Sequence, residues 1–226
     1  MLRITDARTG EPTDAVNARR SLTRVVAHVA QGDTSALRVL LVADVLARAL
    51  ELGGTPVVTV ADPPPELRAR ADALGIRRAE GGILGPGPVL HVLAPGEPAP
   101  DGIRVEVAPV TGTADPSLLR MALLARPRKE PVDLDSACLD DARETLGHWR
   151  RAVATWATRP SKPVPEQVRH ELRAAWEDDL DVPAVLDVLR RVERAEDVPE
   201  GARFETYAYA DRLLGLELTR DIGTVR

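Results

Sequence analysis

Residues 35–61 decide the fold class, reading SALRVLLVADVLARALELGG and then TPVVTVA. The first part has the three-and-four spacing of a helix with one buried face, carried by Leu37, Leu40, Leu41, Val45, Leu46 and Leu50. Gly53 and Gly54 end this helix. The Val-Val-Thr-Val run that follows has no polar alternation, which is typical of a parallel strand covered on both faces. A helix that leads into such a strand predicts an α/β unit.

The rest of the first half extends this pattern in both directions. Upstream, residues 20–30 are rich in β-branched side chains and predict a strand, and Asp33 or Ser35 can then cap the central helix. Downstream, a proline and a glycine bound a short helix over 65–75, and two further strands are predicted at 89–93 and 103–110. We therefore expect a small Rossmann-like parallel sheet of about three or four strands.

The second half is predicted to be helical throughout. Asp115-Pro116 is a helix start, and residues 135–157 carry a heptad seam that requires partner helices. The seam residues are Leu139, Ala142, Leu146, Trp149, Val153 and Trp156. Further helices are predicted over 166–180, 183–192 and 204–216. The change of pattern predicts two domains, at 1–112 and 113–226.

Composition excludes several function classes. The hydrophobic fraction of 44% and charged fraction of 29% are typical of a globular protein. No apolar run is long enough to span a membrane, and the first residues lack the apolar core of a signal peptide. A single cysteine, Cys138, allows no internal disulfide, so we expect a cytoplasmic protein. The net charge of −5 argues against a general nucleic-acid-binding surface, and we expect neither DNA nor a membrane as partner.

Four segments resemble cysteinyl-tRNA synthetases and the closely related ligases that join cysteine to a sugar amine. They are residues 2–11 (LRITDARTGE), 42–54 (VADVLARALELGG), 115–124 (DPSLLRMALL) and 177–189 (EDDLDVPAVLDVL). This resemblance implies a reduced class I synthetase core in the first domain. It also implies, for the second domain, a helical bundle like the anticodon-binding domain of those enzymes.

The sequence departs from that family where its signature motifs should lie. The "H-I-G-H" turn belongs just before Arg38, but residues 32–37 read GDTSAL, and Asp33 would repel a phosphate. The "K-M-S-K-S" motif belongs before Asp115, but residues 108–114 read APVTGTA, and Lys129 is the first lysine. The family's zinc requires several Cys and His ligands, and Cys138 is the one cysteine. We therefore expect no amino-acid activation with ATP, no zinc and no other resident metal or cofactor.

The carboxyl edge of the predicted sheet is the expected place for any remaining ligand. The candidate residues there are His28, Asp33, Thr34, Ser35 and Asp62. For His28 the favoured interpretation is an ordinary strand histidine, with a ligand residue as the alternative, and His91 receives only the interpretation as a strand histidine. The acidic run at 177–181 has enough carboxylates for a metal site, but Asp181, two residues before Pro183, is interpreted as a helix cap. The glycine-rich residues 81–88 are interpreted as a turn, since prolines remove the donors that a phosphate loop needs.

Three hypotheses for function follow. The first is a synthetase-like paralogue, a pseudoenzyme that serves as a binding or regulatory protein. The second is an aminoacyl-transfer or ligase-type enzyme that uses charged tRNA or a preactivated substrate. The third is a structural partner of a true synthetase. The partner is accordingly tRNA or a protein, and the residues predicted to contact RNA are Arg126, Arg128, Lys129, Arg150 and Arg151.

Overall fold

The computed structural model describes residues 1–16, 22–29, 31–80 and 87–223. The parts of the predictions that concern residues 17–21, residue 30 and the glycine-rich residues 81–86 lie outside this described part. The strands are β1 (Arg3–Asp6), β2 (Glu11–Asp14), β3 (Thr23–Ala27), β4 (Val57–Val60), β5 (Val89–Leu93), β6 (Ile103–Glu106), β7 (Val110–Thr111) and β8 (Val132–Asp133). The helices are α1 (Thr34–Leu52), α2 (Pro65–Ala73), α3 (Pro116–Leu124), α4 (Ser136–Trp156), α5 (Glu166–Glu177), α6 (Val182–Arg194) and α7 (Glu200–Leu214).

The predicted parallel sheet is present. Four strands lie in the order β4-β3-β5-β6, and every neighbouring pair is parallel. Helix α1 packs on one face of this sheet, where Val25, Leu90 and Val92 are completely buried. One expectation about β4 is wrong. It is an edge strand whose four residues are only half-buried, because β3 pairs with it on one side and, in the described chain, only the isolated bridge of Val60 with Glu80 lies on the other.

The predicted helices of the second half also form, with shifted ends, but this half is not helical throughout, because β8 pairs with β7. Asp115 caps α3, and a proline lies in its first turn, as expected. The seam residues of α4 are buried, apart from the half-buried Leu139. Helix α5 ends at Glu177 and not at the predicted residue 180, because Asp179 and Leu180 have positive φ angles of 53° and 58°. The likeness of this set of helices to an anticodon-binding bundle stays a prediction.

The hairpin of β1 and β2 was not predicted. It lies beside β6, where the Ala7 amide donates to the Arg104 carbonyl at 2.9 Å, and it is tied to the turn after α5. There the Thr5 amide donates to Asp179 Oδ1 at 2.7 Å, and the Asp179 amide donates to the Arg3 carbonyl at 2.9 Å. The N-terminal segment therefore joins the sheet to the helical half.

One continuous apolar core runs through both halves of the described chain. In the helical half, Tyr207 is edge-on to Trp149 and Trp156, with ring centroids 5.5 Å and 5.1 Å away, so the two tryptophans are core residues as predicted. Between the halves, buried Arg38 of α1 donates to the carbonyls of Ala108, Pro127 and Glu130. The domain division at residue 112 stays a prediction. Among the described residues, no helix is long and apolar enough to cross a membrane.

Candidate functional site

The parallel sheet has a topological switch point between β3 and β5. Helix α1 follows β3 and packs on one face of the sheet. The connection after β5 runs over the opposite face, because the carbonyls of Ala99 and Asp101 contact the side chains of Arg104 and His91 there. In doubly wound sheets, the crevice outside the carboxyl ends of the two strands at such a point is the usual ligand site.

Two histidines meet at this switch point. His28 follows the last residue of β3, and its Nε2 lies 2.8 Å from Nδ1 of His91 in β5. The Nε2 atom of His91 lies 3.3 Å from the carbonyl oxygen of Asp101. A carbonyl only accepts, so His91 carries its proton on Nε2, and its Nδ1 accepts from the Nε2–H of His28. This chain of bonds leaves the lone pair of His28 Nδ1 free, and that atom has no partner among the described residues.

Close packing fixes the orientation of His91. Its side chain is completely buried, and Gly102 has a φ angle of +152° immediately beside the ring. A Cβ atom at Gly102 would lie 2.8 Å from His91 Cδ2, so only glycine leaves room for the ring. The histidine pair is therefore held from one side by β3 and from the other by the connection before β6.

Burial keeps both histidines neutral near neutral pH. It is the largest cause that lowers the pKa of His28, and the negative charge of Glu97 opposes it. Burial is also the largest cause that lowers the pKa of His91; the bond to Asp101 opposes it, and the charges of His28, Arg104 and Arg8 add to the lowering. The charges are thus divided, with a carboxylate acting on His28 and two guanidinium groups acting on His91.

Three of the predicted site residues serve the start of α1. Asp33 Oδ1 accepts from the Ala36 amide at 2.8 Å, which confirms the predicted cap. Thr34 Oγ1 donates to the Gly112 carbonyl at 3.0 Å, and Ser35 Oγ accepts from the Val110 amide at 3.0 Å. These side chains attach the helix start to β7 and the residues after it. Their part in ligand binding stays a prediction.

Asp62, the fifth predicted residue, is 98% exposed, with Arg68 Nη2 3.6 Å from its Oδ1. The structure therefore does not bring it into contact with His28 or with the start of α1. Most of the glycine-rich segment, residues 81–86, lies outside the described residues. The interpretation of that segment as a turn stays a prediction.

The predicted RNA-contacting residues separate into two groups. Arg126, Lys129 and Arg151 are exposed. Arg128 is buried and donates to the Glu106 carbonyl at 2.9 Å and to Asp179 Oδ1 at 2.5 Å. Arg150 is half-buried, and its Nη2 donates to the Leu216 carbonyl at 2.7 Å. These two arginines serve the fold, and the remaining three do not by themselves make a basic groove.

Two acidic side chains after α5 bind other residues of the same chain. Asp181 Oδ1 accepts from the Ala184 amide at 3.0 Å, so it caps α6 as predicted. Asp179 accepts from Thr5 and Arg128 and pairs with Lys129 at 2.6 Å. Across the described part of the chain, no group of three or more His, Cys, Asp or Glu side chains has an arrangement that could hold a metal ion.

Sequence reasoning missed the role of His91. This residue lies in β5, and its contact with His28 depends on β5 pairing directly with β3. The signal available was that both histidines belong to strands predicted for the same sheet. Since strand order was not predicted, that signal did not bring the two residues together.

The fold and site define a small α/β protein with additional helices, in which a histidine pair lies at the switch point of the parallel sheet. No family model matches the sequence. The chain is similar to proteins named L-cysteine:1D-myo-inositol 2-amino-2-deoxy-alpha-D-glucopyranoside ligase. The one from Streptomyces griseus is 38% identical over 108 residues, which is 46% of this chain and 25% of the ligase. The one from Streptosporangium roseum is 35% identical over 121 residues, 52% of this chain and 29% of the ligase.

The chain therefore spans about a quarter of the length of the curated relatives that it matches. The similarity agrees with the resemblance to ligases that join cysteine to a sugar amine.

Proposed function

We propose that this chain binds a small ligand in the switch-point crevice between β3 and β5 and does not itself activate an amino acid with ATP. The observation that carries the proposal is the placement of His28, whose free Nδ1 lone pair is oriented by His91 beside the crevice. The similarity to cysteine ligases supports a ligand of the kind that those proteins handle.

The start of α1 supports the second part of the proposal. A helix N-terminus binds phosphate through unpaired amides and the positive end of the helix dipole. Here the carboxylate of Asp33 occupies that position and accepts from the Ala36 amide. The negative charge of Asp33 opposes an ATP phosphate at this helix. Arg38, one turn further on, is buried and committed to three backbone carbonyls.

The test is a thermal-shift series with ATP, cysteine and a non-hydrolysable cysteinyl-adenylate analogue, run beside an ATP–pyrophosphate exchange assay. We expect cysteine or the adenylate analogue to raise the melting temperature, no shift with ATP, and no exchange. The shift should disappear in His28→Gln and persist in Asp140→Asn, because Asp140 is an exposed residue of α4 whose ion pair is with Arg143. Measurable pyrophosphate exchange, or a shift that survives His28→Gln, would contradict the proposal.

A second candidate is an acyl-transfer enzyme that uses a preactivated substrate. It is favoured by the neutral histidine pair, because His28 Nδ1 can accept the proton that an amine nucleophile loses. The test supplies preformed cysteinyl-adenylate and glucosamine, and mass spectrometry measures the amide product and AMP. Formation of amide by the natural protein but not by His28→Gln would support transfer, and equal rates in both would exclude a role for His28.

Binding of tRNA is the remaining partner hypothesis. A titration of total tRNA at low and then moderate salt tests it, since binding through phosphates weakens steeply as salt rises. Salt-sensitive binding that is reduced in a triple variant of Arg126, Lys129 and Arg151 would support an RNA-binding surface. With Arg128 and Arg150 engaged in the fold, we expect weak binding at most.

A further inference from the structure

We propose that the cavity between α1, the end of α3 and the start of α6 binds one small monovalent anion of the size of chloride, held by the guanidinium groups of Arg38 and Arg128. Arg38 belongs to α1, which packs on the sheet, and Arg128 lies after α3 in the second half. The anion therefore bridges the two halves of the chain. Both the ligand and the site differ from those of the proposed function, so the two proposals are tested separately.

The cavity has a volume of about 20 Å³, which is enough for one water molecule or one small ion. Most of its wall is apolar and comes from three helices, as Val42 of α1, Leu123 of α3 and Val182 of α6 show. Arg126 lines the same cavity and is exposed, so an ion can reach the cavity from solvent. A nucleotide or a sugar is far too large for this volume, which limits the ligand to a monatomic or similarly small ion.

Two buried arginines at this cavity each have one unused donor. Arg38 and Arg128 are 1% and 7% exposed, and the Nε atom of each is buried without a hydrogen-bond partner among the described residues. A buried donor without an acceptor is unfavourable, and one acceptor in the shared cavity can serve both arginines. Arg104 and Arg203 also have such an Nε atom, but they belong to β6 and α7 and do not line this cavity.

The charge around the cavity selects an anion over a water molecule. Its charged lining residues are Arg38, Arg126 and Arg128, and no carboxylate is among the described residues that line it. Asp179 pairs with Arg128, whereas the hydrogen bonds of Arg38 all go to backbone carbonyls. Burial lowers the pKa of Arg38 to about 10, and the charge of Glu130 opposes that shift. An anion beside Arg38 offsets the loss of hydration of its guanidinium group more fully than a neutral water molecule does.

The experiment is thermal unfolding of the full chain, followed by circular dichroism, while sodium chloride replaces sodium gluconate at constant ionic strength. Gluconate is too large for the cavity and serves as the anion that does not bind. Arg126→Gln removes one positive charge from the lining without disturbing the buried arginines. Arg169→Gln is the matched control, because Arg169 is an exposed arginine of α5 that does not line the cavity. Crystals soaked in sodium bromide give the position of the ion, since bromide replaces chloride and scatters anomalously.

We expect the melting temperature to rise with chloride and then to saturate, by about 2–4 °C at a concentration of about five times the Kd. Arg126→Gln should weaken the affinity for chloride about tenfold, the loss expected for one charge-assisted hydrogen bond. Arg169→Gln should respond to chloride as the natural protein does. The anomalous bromide peak should lie in the cavity between Arg38 Nε and Arg128 Nε.

Three results would overturn the proposal. A melting temperature of the natural protein that does not change between gluconate and chloride would show that no anion binds. An equal rise in the natural protein, Arg126→Gln and Arg169→Gln would show a general effect of chloride on the protein surface. Density in the cavity without an anomalous bromide signal would show that a water molecule occupies it. None of these results bears on the proposed function, which depends on the thermal shifts with cysteine and the adenylate analogue.

Discussion

Arg120 of α3 and Asp44 of α1 form a buried ion pair, with Arg120 Nη2 3.1 Å from Asp44 Oδ2 and side-chain exposures of 4% and 2%. Arg120 also donates to the carbonyls of Leu214 and Leu74, at 2.6 Å and 3.1 Å. Burial alone would raise the pKa of Asp44, but the charges of Arg120 and Arg48 hold it below its ordinary value. One carboxylate thus connects the first helix of the sheet unit with the first helix of the second half.

Replacing Asp44 should therefore be strongly destabilising. We expect Asp44→Ala to lower the free energy of unfolding by about 3–5 kcal/mol, because Arg120 would remain buried without its counter-charge. Urea denaturation followed by circular dichroism measures the change. Asp140→Ala is the control, because its ion pair with Arg143 is exposed and should be worth under about 1 kcal/mol. Equal losses in the two variants would show that the buried pair does not connect the halves as described.

Gly201 in α7 should not tolerate a side chain. A Cβ atom there would lie 2.0 Å from the carbonyl oxygen of Pro160, in the connection between α4 and α5. We expect Gly201→Ala to destabilise the protein by more than about 2 kcal/mol, since the backbone on both sides must move. Gly147→Ala in α4 is the matched control. Its Cβ would meet only the flexible end of Arg151 at 3.3 Å, so it should stabilise by about 0.5–1 kcal/mol. Thermal unfolding of both variants gives the comparison.

The histidine pair predicts a pH dependence of stability. Burial lowers the pKa of both His28 and His91 from the ordinary value of 6.5, so the unfolded chain binds protons more readily than the folded chain. Their contribution is therefore complete above pH 6.5 and is lost as the pH falls below it. The urea midpoint measured at several pH values should decrease over this window. The decrease should be smaller in a His28→Gln, His91→Gln double variant and unchanged in His170→Gln, since His170 is exposed.

The start of α1 predicts a capping effect. Asp33→Ala removes the acceptor of the Ala36 amide and should cost about 1 kcal/mol, whereas Asp33→Ser retains a capping oxygen and should cost less than half of that. Urea denaturation of the two variants measures both values. If the alanine and serine variants lost the same stability, the role of the side chain as a cap would be wrong.

Elements with a strong local pattern could be predicted from the sequence. The stripe of α1, the cap and proline of α3, and the tryptophans of α4 all appear where the spacing placed them. The hairpin of β1 and β2 was missed because both strands are only four residues long, RITD and EPTD, and the second contains a proline. The end of α5 was misplaced because two non-glycine residues take left-handed conformations, which long-range bonds to Asp179 stabilise.

The candidate site likewise has features that the sequence predicts and features that depend on the tertiary structure. The sequence alone determined the α/β class, the position of α1, a cap at Asp33 or Ser35 and the carboxyl edge where a ligand is expected, because each depends on neighbours within a few positions along the chain. Only the tertiary structure decided that β5 pairs with β3 and that His91 therefore orients His28. These relationships join residues more than sixty positions apart. Strand order and register depend on the packing of the whole sheet, which no local pattern specifies.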